Sequence, residues 1–218
     1  MIWSHIMESI MNVLQSVSII IASGVAIYGI NAWKREYIGK KRLELAEEVL
    51  ETFFAIKDAI EHVRLPLAWS SEGTTRDKSP NETEEDTNIL NQAHIVFERF
   101  DKYRETFSRF AALKYHFMVV FGKEQESIFK DIFGIRSDLL SASRMLISDW
   151  KNGKGGMNDT NRILIKKWES ANRIHRGKKD SIQDNIEAVQ KKLEEIAASC
   201  LTETTCWEKI KRFILAAR

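Results

Sequence analysis

The chain has 218 residues, 44% hydrophobic and 29% charged, which is enough apolar material for one domain with a buried core plus an attached element and excludes a disordered tail. Its 33 basic and 31 acidic side chains leave a net charge of +2, so the molecule as a whole gives no electrostatic argument for nucleic acid or an acidic partner. With only two prolines and ten glycines, and charges spread between apolar positions at helical spacing, the composition favours helices over sheet.

From Ser9 to Trp33 there are 25 residues without an acid, a base or a histidine, and a helix needs about 20 apolar residues to cross a bilayer core. Residues 1–33 are therefore expected to form a short external N-terminus and a transmembrane helix. A signal peptide would begin with a basic stretch, whereas the first eight residues hold no Lys or Arg and include Glu8. The basic cluster Lys34, Arg35, Lys40, Lys41 and Arg42 follows the span instead. By the positive-inside rule this puts the N-terminus outside and residues 34–218 in the cytoplasm. Within the span, Asn12, Gln15, Ser16 and Ser23 lie near one stripe, and Ala22, Ala26 and Gly29 form a stripe of small residues. Both suit packing against another helix in a membrane, here a second copy or another membrane protein.

Leu43, Ala46, Leu50, Phe53, Ile56, Ile60 and Val63 continue at three- and four-residue steps until Pro66, so the span is expected to run straight into a core helix. Residues 70–86 contain no apolar side chain, and their six acids against two bases predict an exposed loop within a flexible stretch near 69–87. Ile89, Ala93, Val96, Phe100, Phe107, Phe110 and Phe117 predict a second long helix reaching about Phe121, and Ile128 through Trp150 predict a third. A glycine-rich loop over 151–159 follows, then a short helix over 160–172 carrying Ile163, Leu164 and Trp168. The last amphipathic helix opens at Ser181 with Ile186, Val189, Leu193, Ile196 and Cys200 on its core face, and Trp207, Ile210, Phe213 and Ile214 suggest a final short helix. The expected fold is all-α: an N-terminal transmembrane helix continuing into an antiparallel bundle of four to five helices. Cys200 and Cys206, the only cysteines, lack disulfide or zinc spacing and read as free thiols of a reducing compartment.

Three sets of polar residues are candidates for chemistry. Arg109 and His116 share a helix face and match the loose R-x(4–6)-H pattern of HEPN ribonucleases, in which histidine moves protons at the ribose and arginine stabilises the phosphorane. The polar residue that often follows the arginine in those enzymes is replaced here by Phe110. Between Lys151 and Lys179 nine bases face two acids, an excess of +7; Lys166, Lys167, Arg173, Arg176, Lys178 and Lys179 form a patch suited to anionic lipid, or to RNA, against the plain alternative of a solvated face. His94 beside Glu98 and Arg99, and His175, lack metal-ligand spacing. No phosphate loop, nucleophile elbow or carboxylate pair is present, so no cofactor or metal is expected.

The stretch from Trp33 to Leu67, with Trp33, Lys34, Arg35, Glu36, Gly39, Lys40, Glu44, Leu45, Ala46 and Leu50, resembles a widespread group of uncharacterised bacterial single-pass proteins that place a span before a W-[KR]-R-E, G-K and E-L-A-x-x-x-L pattern. In size and layout the chain is also similar to the HEPN-like membrane accessory proteins of type VI CRISPR systems, which assemble into pores. The absence of catalytic motifs leads to the expectation of a non-enzymatic protein of the bacterial inner membrane that self-assembles or scaffolds a protein partner, and the second resemblance adds a defence-related membrane effector or pore; a membrane-tethered HEPN-like ribonuclease and a lipid-binding adaptor are the alternatives.

Overall fold

The computed structural model describes the backbone of residues 2–152, 159–172 and 180–216, and the side chains of these except 2, 4–6, 8–10, 151–152, 159–161, 164 and 202–216. Among the described residues there are six α-helices, one 3-10 turn and no strand: α1 Ile2–Val63, α2 Glu84–Lys102, α3 Arg104–Phe121, the turn Lys123–Gln125, α4 Glu126–Asn152, α5 Asp159–Asn172 and α6 Ser181–Ala216. A long apolar N-terminal helix leads into a helical bundle. The chain divides into two units, residues 1–44 with 198–218, and residues 45–197.

In the first unit no described residue from Met11 to Glu44 is buried. The second unit holds the core. The α1 residues Leu45, Val49, Phe53, Ile56, Ile60 and Val63 are buried in one cluster with Leu90, Val96 and Phe100 of α2, Phe107, Phe110 and Phe117 of α3, and Ile128, Ile132 and Leu139 of α4. Trp168 of α5 and Ile186, Val189 and Leu193 of α6 complete it. The aromatic side chains interlock: Phe110 and Phe129 lie 4.6 Å apart by ring centroid, and Phe117 meets Phe129 edge to face at 5.8 Å. Each buried tryptophan finds an acceptor for its N–H, as a polar tip inside a core requires. Trp150 Nε1 donates to Asp86 Oδ1 at 2.8 Å and Trp168 Nε1 to Ser143 Oγ at 2.9 Å.

The expected second helix is two helices, broken at Tyr103 (φ −105°, ψ 15°), whose N–H turns back to the Phe100 carbonyl at 3.2 Å. Seven residues along a straight helix span about 10.5 Å. With the break, the Phe100 and Phe107 rings meet edge to face at 5.7 Å, and the Tyr103 hydroxyl reaches His62 Nδ1 at 3.1 Å. A seven-residue step preserves the apolar period, so the break leaves no mark in the pattern. At the other end, α6 runs without interruption to Ala216 where a separate short helix was expected. Of the apolar residues that α5 carries, Trp168 is buried and Ile163 exposed.

The loop after α1 departs furthest from expectation. Its backbone is irregular, and Asp77 and Lys78 are exposed, but Glu72, Arg76 and Glu82 are withdrawn from solvent. Arg99 of α2 is 2% exposed and donates to the carbonyls of His62, Leu65 and Leu67 at 3.0, 2.9 and 2.7 Å. The same guanidinium grips both oxygens of Glu72, at 3.2 and 2.7 Å. It thereby partners the His62 and Val63 carbonyls in the last turn of α1, which have no N–H partner inside the helix, and the Leu65 and Leu67 carbonyls of the segment that follows. Arg76 makes a second such pair with Glu82, at 2.8 and 2.5 Å, and donates to Asn91 Oδ1 at 2.7 Å. Glu98 accepts the N–H groups of Gly73 and Thr75 at 2.7 and 3.1 Å. Gly73 sits at φ +77°, and a Cβ there would come within 2.2 Å of the Asn91 carbonyl oxygen, so only glycine fits. Thr83 and Asp86 close the start of α2 with a reciprocal capping box.

Candidate functional site

The most extensive surface feature is the apolar helix surface between Met11 and Trp33. Val13, Leu14, Val17, Ile19, Ile20, Ile21, Val25, Ile27 and Ile30 are each between 46% and 71% exposed, with the aromatic Tyr28 and Trp33 toward the end of the run. Among the described residues α1 is the one helix long and apolar enough to cross a membrane. Soluble proteins rarely expose contiguous apolar surface on this scale. The stripe residues Asn12, Gln15, Ala22 and Ala26 are exposed like the rest, and a Cβ placed on Gly29 would meet nothing within 4 Å. Ser16 Oγ is satisfied by the Asn12 carbonyl at 2.8 Å, as hydroxyls in apolar helices usually are. Lys34, Arg35, Lys40 and Lys41 are exposed and Arg42 half-buried; Lys41 pairs with Glu44 at 2.6 Å.

Arg109 and His116 both lie on α3 with exposed side chains. Arg109 is engaged by Glu48 of α1, Nη2 to Oε1 3.1 Å, across the bundle surface. Two helical turns separate it from His116, a rise of about 10.5 Å, and neither residue lines the concavity beside Arg99 or the groove at Arg136. Phe110 is fully buried, as its place in the core pattern anticipates. His94 stands 3.4 Å from Thr75 Oγ1, in the same polar cluster as Glu98. Burial pushes the Glu98 carboxyl up, yet the hydrogen bonds from Thr75 and from the Gly73 and Thr75 amides hold it below its ordinary value. Among the described residues no three His, Cys, Asp or Glu side chains are placed to hold a metal ion.

Of the basic patch, Lys166 and Lys167 are exposed on α5; Arg173, Arg176, Lys178 and Lys179, with His175, lie outside the described residues, as does most of the 151–159 loop. Cys200 is buried, and Cys206 lies outside the described side chains.

The structure assembles a cation cluster that the sequence reading missed. Arg104 at the start of α3 and Arg136 and Arg144 of α4 line one groove with Phe97, Phe100 and Asp101. They are separated by up to forty positions in the chain and fall in no basic run, so a search by local charge density passes over them. The available signal was weak: Arg136, Leu140 and Arg144 recur every four residues, the spacing of one helix face. A second concavity, about 70 Å³ beside Val63, Pro66, Ile95 and Trp168, contains one charged group, the fully engaged Arg99.

No family model, curated protein or solved structure matches this chain.

Proposed function

We propose that the chain is a single-pass protein of the bacterial inner membrane, anchored by residues 9–33, with its helical bundle in the cytoplasm, and that it works by assembling with further copies of itself rather than by catalysis. One observation carries this reading: an unburied apolar helix surface and a complete apolar core occur on the same helix. The bundle closes around Phe53, Ile56 and Ile60 without needing any side chain from Met11 to Trp33, so that surface is available to another apolar medium. Lipid is the medium that solvates all sides of a helix equally. Lys34, Arg35, Lys40, Lys41 and Arg42 fix the orientation through the preference of basic flanks for the cytoplasmic side.

Within the bilayer the hydrophobic effect no longer drives helices together, and close packing of small residues with interhelical hydrogen bonds takes over. Asn12 and Gln15 supply amide groups that lipid cannot satisfy, and Ala22, Ala26 and Gly29 allow a second backbone to approach. Polar contacts of this kind are worth about 0.5–2 kcal/mol each, enough to set an oligomer when several act together.

The test is membrane fractionation followed by particle mass of the full-length chain in detergent. An integral protein with one defined oligomeric mass is expected, with the mass falling in an Asn12→Leu/Gln15→Leu variant. Release from membranes by alkaline washing would overturn the anchor, and a monomeric wild type would overturn the assembly.

A further inference from the structure

The groove between the α2–α3 bend and α4 is lined by more cations than acids. Its cationic lining is Arg104, Arg136 and Arg144, against the single acid Asp101 among its lining residues. Asp101 is engaged by Arg104 through an ion pair three residues apart. Arg136 lies over two rings, with its guanidinium carbon 5.7 Å from the Phe100 centroid and 5.2 Å from that of Phe107. Its Nε is buried and has no hydrogen-bond partner. Arg144 lies 5.8 Å over the ring of Phe97, and among the described residues neither it nor Arg136 is paired with an acid.

Arginines stacked on aromatic faces keep their donors in the ring plane's periphery, fixed in direction and open to an acceptor. A buried donor without an acceptor is costly, and native proteins rarely leave one idle. Two preorganised guanidiniums with free forks suit an oxyanion, which takes paired N–H donors from each. The groove encloses about 200 Å³, below the roughly 300–1,000 Å³ of pockets that swallow a whole drug-sized ligand, so it fits a charged group rather than an entire metabolite.

We propose that this groove binds the phosphate group of a phosphomonoester, with Arg136 and Arg144 as its bidentate partners and Arg104 completing the charge. Such a group carries about −1.5 to −2 at neutral pH, which matches three guanidiniums less the Asp101 carboxylate. The same group is presented by soluble phosphomonoesters and by the headgroup of phosphatidic acid.

The experiment measures thermal unfolding of the full-length chain in neutral detergent with increasing inorganic phosphate or glycerol 3-phosphate at constant ionic strength. In parallel, the chain is reconstituted in phosphatidylcholine bilayers containing either phosphatidic acid or the monoanionic phosphatidylglycerol. A ligand that binds only the folded state raises the unfolding temperature as its concentration passes its dissociation constant. A rise with the soluble esters identifies a free phosphate ligand; a rise confined to phosphatidic acid identifies the lipid. In either case Arg144→Met should weaken binding about tenfold or more, the scale of one lost charge-assisted hydrogen-bonded contact, while Lys166→Met should leave it unchanged. Arg144 is exposed, so its replacement leaves folding intact; Arg136→Lys, which keeps the charge but loses the fork, serves as the second variant. No rise in any arm, or an equal rise in wild type and Arg144→Met, overturns the proposal.

Discussion

Ile21 and Ile56 belong to one helix and have the same side chain, yet the first is 61% exposed and the second fully buried. The contrast extends to their surroundings. Around Ile21 apolar side chains occupy every side of the helix, whereas from Leu45 onward they alternate with Glu47, Glu51, Asp58 and Glu61 so that one stripe alone is greasy. A stripe asks for a protein partner, and an apolar cylinder asks for a solvent. The two halves of α1 thus differ in what their apolar side chains meet, buried in the core in one and exposed in the other, and the same substitution should have different consequences in each.

The largest expected difference comes from truncation. Ile56→Ala removes a fully enclosed side chain and should lower the stability of the bundle by about 2–5 kcal/mol, through lost burial and the cavity left behind. Ile21→Ala should leave urea unfolding of the detergent-solubilised chain unchanged. A loss at Ile21 comparable to that at Ile56 would mean that the N-terminal half is packed on protein after all. Next comes charge. Ile21→Arg should disfavour insertion by about 2.5–3.5 kcal/mol, the cost of arginine at a span centre, and shift the chain to the soluble fraction. Ala55→Arg, at an exposed position of the second half, should fractionate as wild type does.

A third effect, on the order of 2 kcal/mol for each pair by linkage, concerns what holds the end of α1. The hydrogen-bonded Arg99 guanidinium takes Glu72 down to about 2, against the opposing effect of burial, and Arg76 does the same to Glu82. Both folded values lie below the ordinary 4.5, so unfolding takes up protons as the solution is acidified. The stabilisation is complete above about 4.5 and is lost as the pH falls toward about 2. Denaturation midpoints followed through that window should fall steeply in wild type and less steeply in Glu72→Gln, which lacks one titrating group and starts lower. Equal slopes would show that the Glu72 pair contributes nothing to acid sensitivity.

These ion pairs also mark where reading the sequence stops working. Apolar patterning is a local property, so the long apolar N-terminal helix, the core half of α1 and the helices around Phe117, Leu139 and Val189 could be placed from it. Whether Glu72 is solvated depends on Arg99, 27 residues away, and nothing near Glu72 distinguishes it from Glu84 or Glu85, which are exposed. A run of acids looks like a solvated loop until packing supplies buried partners. The groove of Arg104, Arg136 and Arg144 was invisible for the same reason, since proximity between helices is not encoded by proximity in the chain. The break at Tyr103 was hidden differently, by preserving the seven-residue register on both sides.

The smallest effect sharpens the comparison most, because it separates two meanings of one residue. Arg109 reaches across to Glu48 on the core half of α1 with side chains 55% and 42% exposed, and exposed pairs of this type contribute about 0.2–1 kcal/mol. A double-mutant cycle with Arg109→Ala and Glu48→Ala should return a coupling in that range, shrinking as salt is added, since both charges are open to solvent. His116→Ala, without a partner in that pair, should fall outside the coupling and leave stability within about 0.5 kcal/mol of wild type. If instead the cycle gives no coupling while either Arg109→Ala or His116→Ala abolishes a cellular phenotype at unchanged protein level, the two residues work together on a substrate. The α3 face would then be a reactive surface rather than a brace between α3 and the core half of α1.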